Sequence, residues 1–252
     1  MVLKIFFKHW PILFIIVFTI VFFHKLFFPT SIFGTPGDIA YFNYPLKDFL
    51  AVSLKSHNLP LWSSKIATGY PILADSPIGT FYLPNLIIFY LLPTPIAFNL
   101  HYLFIFLTSA IGMYLLCRNF NLSKISSTYA ALAYAFSGFF IARIIHTSFI
   151  QVASFLPFIF LILLKYQDKK KNIYLLLFSL LVSQLIFAGY LQGLIYSLIS
   201  VFIFLLFFVK TKTELVKLFL PILVSTAFGT ILAAAQILPT LELVNFSTRD
   251  QG

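Results

Sequence analysis

Along most of this chain apolar residues do not alternate with polar ones; they run on unbroken. Seven apolar stretches, at about 9–28, 96–117, 125–143, 148–166, 172–188, 190–209 and 215–238, approach or reach the length of about 20 residues that a helix needs to cross the hydrocarbon of a bilayer. They predict an all-α, polytopic transmembrane helix bundle of about seven spans. An eighth stretch, 81–92, is too short to cross and is punctuated by Pro84, Pro93 and Pro95. An interfacial or re-entrant helix suits it, because irregular backbone near the membrane needs protein or water partners.

Only one connection is long, about 29–95, and there the period changes. From Tyr44 to His57 the residues Leu46, Phe49, Leu50 and Leu54 fall on one helical face, with Lys47, Asp48 and Lys55 facing away. This pattern predicts an amphipathic helix lying along the membrane surface. Beyond it, Pro60, Gly69, Pro71, Pro77 and Gly79 are spaced as turn makers. They suit either a stiffened cap or the floor of a substrate pocket.

Composition supports the membrane reading. Of 252 residues, 60% are hydrophobic, 10% are charged and 33 are Phe. Water-soluble domains carry about a quarter charged residues, so a soluble fold of this length could not absorb so much apolar surface. The first span continues apolar to about Phe28 with no small-residue cleavage site, which favours an uncleaved helix over a secretory signal. The single cysteine, Cys117, excludes an intramolecular disulfide and a cysteine metal cluster. Residues 1–252 form a single membrane domain on this reading: a first span at 9–28, an outer loop at 29–95, six more spans over 96–238 and an outer tail at 239–252.

The net charge of +10 could suggest nucleic acid, but the basic residues lie between apolar runs instead of on one polar face. With the amino end cytoplasmic, the inner segments hold Lys4, Lys8, Arg118, Lys124, Lys165, Lys169, Lys170, Lys171, Lys210, Lys212 and Lys217, eleven of the 17 Lys and Arg residues. Of the seven acids only Asp168 and Glu214 lie within. This matches the excess of Lys and Arg in short cytoplasmic loops and makes the first loop extracytoplasmic. The run at 165–172 is then a topology determinant without chemistry.

The outer side carries the candidate chemistry. Asp38, between Gly37 and an aromatic cluster, is a lone acid placed where it could cap the helix that follows it. Asp75 is a second acid for the same pocket or an Asx turn, and Glu242 follows Pro239 at the top of the last span. Arg143 and His146 sit on the turn between the third and fourth spans, where they could bind a lipid phosphate or reach for headgroups. Gln192 and Gln236 are amides within apolar spans, suited to substrate contact or to bonding helices together. Arg249 adds a cation on the outer tail. Neither a glycine-rich phosphate loop, nor HExxH, nor a Gly-x-Ser-x-Gly elbow occurs, so nucleotide hydrolysis and those hydrolase chemistries have no support.

Four blocks carry a resemblance: "GDIAYFNYPLKDFL" with "LPLWSSKIATGYPILADSPIGTFYLPN", then "YAFSGFFIARIIHTSFIQVASFLPFIFL", "AGYLQGLIYS" and "AAAQILPTLELVNFSTR". In this order they resemble the YfhO-like bacterial membrane proteins of the GT-C glycosyltransferase superfamily, which take sugars from polyprenyl-phosphate carriers. Such proteins are longer, so the chain resembles their amino-terminal part and is expected to be truncated. The resemblance implies a plasma-membrane enzyme that moves a sugar from a polyprenyl phosphate to a cell-envelope glycan acceptor. Asp38 would be its catalytic base or, with Asp75, a ligand to Mg or Mn; Arg143, His146, Gln192, Gln236, Glu242 and Arg249 would bind substrate. Two other readings compete: a lipid or solute transporter or flippase, and a non-catalytic membrane assembly protein. Pro157 and Pro221 are expected to interrupt two spans, as broken transporter helices would require, while the span centres carry no ionisable residue.

Overall fold

The computed structural model describes residues 2–27, 33–34, 37–66, 68–208 and 211–246. Among them the chain is all-α: eleven helices and a few short turns, with one isolated antiparallel bridge between Ser63 and Tyr70. The helices are α1 (Val2–Phe22), α2 (Tyr44–Lys55), α3 (Leu83–Leu91), α4 (Thr94–Asn119), α5 (Lys124–Ala135), α6 (Gly138–Ala142), α7 (Thr147–Lys169), α8 (Asn172–Phe187), α9 (Leu191–Phe208), α10 (Lys212–Leu232) and α11 (Ala234–Asn245).

Polar turns stop the apolar helices where the sequence predicts. The Ser123 hydroxyl accepts from the Ser126 N–H to start α5, and the Thr211 hydroxyl accepts from the Glu214 N–H to start α10. Each satisfies an amide that the first turn would leave orphaned. Four segments are long and apolar enough to cross a membrane: α4, the α5–α6 pair, α7 and α10. Three apolar helices are shorter, at Trp10–Phe22, Asn172–Phe187 and Leu191–Phe207. Among the described residues each of the seven predicted stretches is mainly helical, and four of them meet the length. At nine residues α3 spans only about 14 Å, in keeping with a segment too short to cross.

Three expectations are corrected. The third and seventh predicted spans are not single helices: Phe136 and Ser137 separate α5 from α6, and Ala233 separates α10 from α11. Pro157 and Pro221 do not break their spans, because α7 and α10 run straight through them. Lys47, placed on the polar face of α2, is buried, only 2% exposed. That face is covered from the other side by the turn at residues 76–79, whose carbonyls take the amine.

α4 is the central helix. It packs on α7 and α5, while α8 packs on α10 and α7. At Gly229 an added Cβ would stand 2.5 Å from the Ser179 carbonyl oxygen, so a side chain there would force α10 off α8. Much of the Phe content fills the α1–α4–α5 seam, where the Phe136 ring lies 5.2 Å from that of Phe18, 4.8 Å from Phe22 and 5.3 Å from Phe106. The long loop is folded too: Leu46, Leu50, Ile72 and Ile78 form their own buried cluster beneath α2.

Candidate functional site

Gly37, at φ +126°, turns the chain into a short, wide π-helical segment, Ile39–Asn43, whose Ile39 is buried. Asp38 stands at its start, exposed, and its side chain caps nothing. The capping role open to it in the sequence is not the one it takes. Asn43 then does something the sequence did not reveal. Its amide donates to the Asp38 carbonyl at 3.2 Å and to the Ile145 carbonyl at 3.1 Å. This buried side chain fastens the Asp38 segment to the α6–α7 turn, 102 residues later.

That fastening brings distant candidates together. Asp38, Arg143, His146 and Gln192 line one cavity of about 560 Å³, with Asn43, Pro77 and Tyr196 among its other walls. They come from the first loop, the α6–α7 turn and the start of α9. The Arg143 guanidinium lies over the Phe149 ring at 5.9 Å, and Gln192 accepts from the Tyr190 hydroxyl at 3.0 Å while donating to that of Tyr196 at 2.5 Å. Thr147 is held by a 2.6 Å hydroxyl contact with Tyr102 of α4, which sets the start of α7 against the central helix.

Two helix N-termini also meet the cavity. Thr147 and Ser148 open α7, with no side chain capping that end, and Gln192 lies in the first turn of α9. Free amides and the helix dipole favour an anion at such ends. With Arg143 and His146 added, against Asp38 as the carboxylate among the cavity's described lining residues, the arrangement can hold a singly or doubly charged oxyanion and leave one acid beside it. The basic end of α7, at Lys165 and Lys169, lies about 30 Å along the helix from its cavity end.

The remaining candidates are placed elsewhere. Gln236 is buried and donates to the Leu73 carbonyl at 2.9 Å, while the Thr240 hydroxyl lies 2.9 Å from the Ala74 carbonyl, so α11 fastens residues 73–74. Glu242 lines a second cavity of about 540 Å³ with Trp62, Pro239 and Phe246. Asp75 is half-buried and bonded to the Tyr70 hydroxyl, and it is not among the residues lining the Asp38 cavity. Arg249 lies outside the described residues. Among those residues no group of three or more His, Cys, Asp or Glu side chains is disposed to hold a metal ion. Asp38 and Asp75, the pair expected to hold Mg or Mn, do not line the same cavity.

Burial pushes the Asp75 carboxyl above the usual carboxylate range, and the Tyr70 hydrogen bond only partly offsets it. A carboxyl raised in the folded state costs stability above its folded pKa, and that cost disappears below the pKa of the unfolded chain. Asp75→Asn is therefore expected to raise the thermal unfolding midpoint slightly at pH 7 and to leave it unchanged near pH 3, as measured by scanning calorimetry.

The sequence reading also missed a buried polar group behind the cavity. Lys47, Asn85, His101 and Gln151 are all nearly or fully buried. Gln151 faces the Tyr82 hydroxyl and the His101 ring, but no contact reaches hydrogen-bond geometry, and these side-chain atoms have no protein partner. The signal was present as single polar residues inside apolar runs, the pattern that singled out Gln192 and Gln236.

A family model described as "6-pyruvoyl-tetrahydropterin synthase related domain; membrane protein" matches residues 77–249, more than half of the chain. The chain belongs to this family. The match to this 6-pyruvoyl-tetrahydropterin synthase related domain opens at Pro77 on the cavity wall and takes in Arg143, His146 and Gln192, leaving Asp38 and Lys47 upstream of it. No curated protein and no solved structure matches the chain.

Proposed function

We propose that the Asp38 cavity is the site of a membrane glycosyltransferase of GT-C type, which moves a sugar from a polyprenyl-phosphate donor to an extracytoplasmic acceptor. One observation carries the reading: an acid, an arginine, a histidine and two helix N-termini from three separate parts of the chain line a single cavity. A transferase of this kind needs an anion site and a base within reach of each other, and an inert surface groove needs neither. Seven spans, an amino end in the cytoplasm and a plasma-membrane location with the cavity outside belong to the same proposal.

The step follows from these residues. Arg143, His146 and the first-turn amides of α7 hold the donor phosphate, and Gln192 can hydrogen-bond a sugar hydroxyl. The acceptor hydroxyl oxygen bonds to the anomeric carbon as the bond from that carbon to the phosphate oxygen breaks. The electron pair departs with the phosphate, whose charge Arg143 neutralises, and Asp38 takes the hydroxyl proton.

The test is reconstitution in liposomes with a panel of polyprenyl-phosphate sugars and a glycan acceptor, reading both the product and the freed polyprenyl phosphate. The proposal expects turnover with at least one donor. Binding of donors without turnover by any would favour the carrier or assembly readings over an enzyme.

A further inference from the structure

Lys47 is a charged residue type buried at 2% exposure, whereas the other Lys side chains among those described are exposed or half-buried, and its environment shows what it holds. Its amine donates to the Ile78 carbonyl at 2.7 Å and to the Pro77 carbonyl at 3.2 Å. Asn85 donates to the Gly79 carbonyl at 2.9 Å. The turn at residues 76–79 is thus gripped from behind by α2 and α3.

The front of the turn meets the cavity. Pro77 is part of the cavity lining. An added Cβ on Gly189 would stand 2.1 Å from the Ser76 carbonyl oxygen, and one on Gly79 would stand 3.3 Å from the Phe187 carbonyl oxygen. The turn is therefore pressed at two points against the α8–α9 connection, whose Gly189, Tyr190 and Gln192 form the facing wall.

We propose that Lys47 is a positioning residue for the cavity: its amine fastens the turn at 76–79, and that turn sets both Pro77 and the Gly189–Gln192 wall. Lys47 touches no substrate, and the role rests on the reading of the cavity as the binding site. Gly189 lies against the backbone of Ser76 and Pro77, so loosening the turn shifts that wall, whereas the turn carrying Arg143 and His146 keeps its own ties through Asn43 and Thr147 and meets the wall at the Phe149–Tyr190 ring contact.

The clamp carries a pH signature. Burial pushes the Lys47 amine down to about 7, far below an ordinary lysine. A lysine lowered in the closed state is neutral there, but charged in any opened state, between about pH 7 and its ordinary value, so closure gains as pH rises through that window. The groups facing it are His101 from α4, near enough to feel its charge, and Tyr82 ahead of α3; Tyr44 and Asp48 share its own helix.

Hydrogen exchange by mass spectrometry tests this on the full chain in nanodiscs between pH 6 and 9, after correction for intrinsic exchange. The segments at 73–80 and 187–193 should gain protection as pH rises above about 7, by up to about tenfold per pH unit. Lys47→Met should flatten that dependence, Lys47→Arg should loosen both segments at every pH, and His101→Gln should preserve the wild-type dependence. Protection that is flat in wild type, or unchanged in a folded Lys47→Met, would overturn the proposal. If Lys47→Met does not fold, the wild-type and His101→Gln series still decide. No ligand enters this readout, so it is separate from the fate of the transfer reaction. In the same nanodiscs decaprenyl phosphate should bind Lys47→Met about tenfold more weakly; equal binding with a loosened turn would reduce Lys47 to a structural residue.

Discussion

On the proposed function, Asp38→Asn is expected to lower sugar transfer by about 10²- to 10⁴-fold while donor binding stays within about threefold of wild type, the range that loss of a positioned general base produces. Asn keeps the shape and polarity of the side chain and removes only its capacity to take a proton. The side chain makes no cap that the substitution could disturb, so the fold should be unaffected. Initial rates and lipid-phosphate affinity, measured on the same preparation, separate the two effects. Equal turnover in wild type and variant would remove Asp38 from the chemistry, and a matched loss of affinity would make it a binding residue.

The largest effect on stability is expected at Gly189. Its φ of +83° is a conformation that residues with a side chain rarely adopt, and its missing Cβ leaves room for the Ser76 carbonyl, one of the points where the long first loop meets the bundle. Gly189→Ala must strain its own backbone and push aside another, neither of which can rotate away. A loss of about 3 kcal/mol or more follows, with collapse or splaying of the cavity wall. Gly138→Ala is the control, since nothing lies within 4 Å of its Cβ and its φ is ordinary. It should leave the midpoint of thermal unfolding in detergent nearly unchanged, whereas Gly189→Ala should lower it by several degrees.

The helices were legible because a bilayer demands long apolar runs, and few other patterns satisfy it. Where the helices break was not: Phe136–Ser137 and Ala233 interrupt apolar sequence without a proline or a charge, whereas Pro157 and Pro221, which do signal a break, lie inside continuous helices. The grouping of Arg143, His146 and Gln192 at one end was readable from the alternation of apolar runs, since all three fall on or beside turns expected at the same end of the bundle. Their meeting with Asp38 was not readable, because it hangs on Asn43, one amide in an aromatic cluster that bonds across 102 residues. Lys47 misled for a related reason. The period of α2 identifies Leu46 and Leu50 correctly, but the folded loop covers Lys47 too while leaving Lys55 exposed, and no periodicity reports where a loop will fold back.

The proposal stands on the claim that the cavity recognises a phosphate carried by a membrane lipid. Binding of decaprenyl phosphate and of decaprenol to the chain in nanodiscs, compared for wild type and Arg143→Gln, tests it directly. The account predicts that wild type prefers the phosphate and that Arg143→Gln loses about ten- to a hundredfold of that preference, the effect of deleting one charge-assisted pair. Equal affinity of wild type for the phosphate and the alcohol would contradict it.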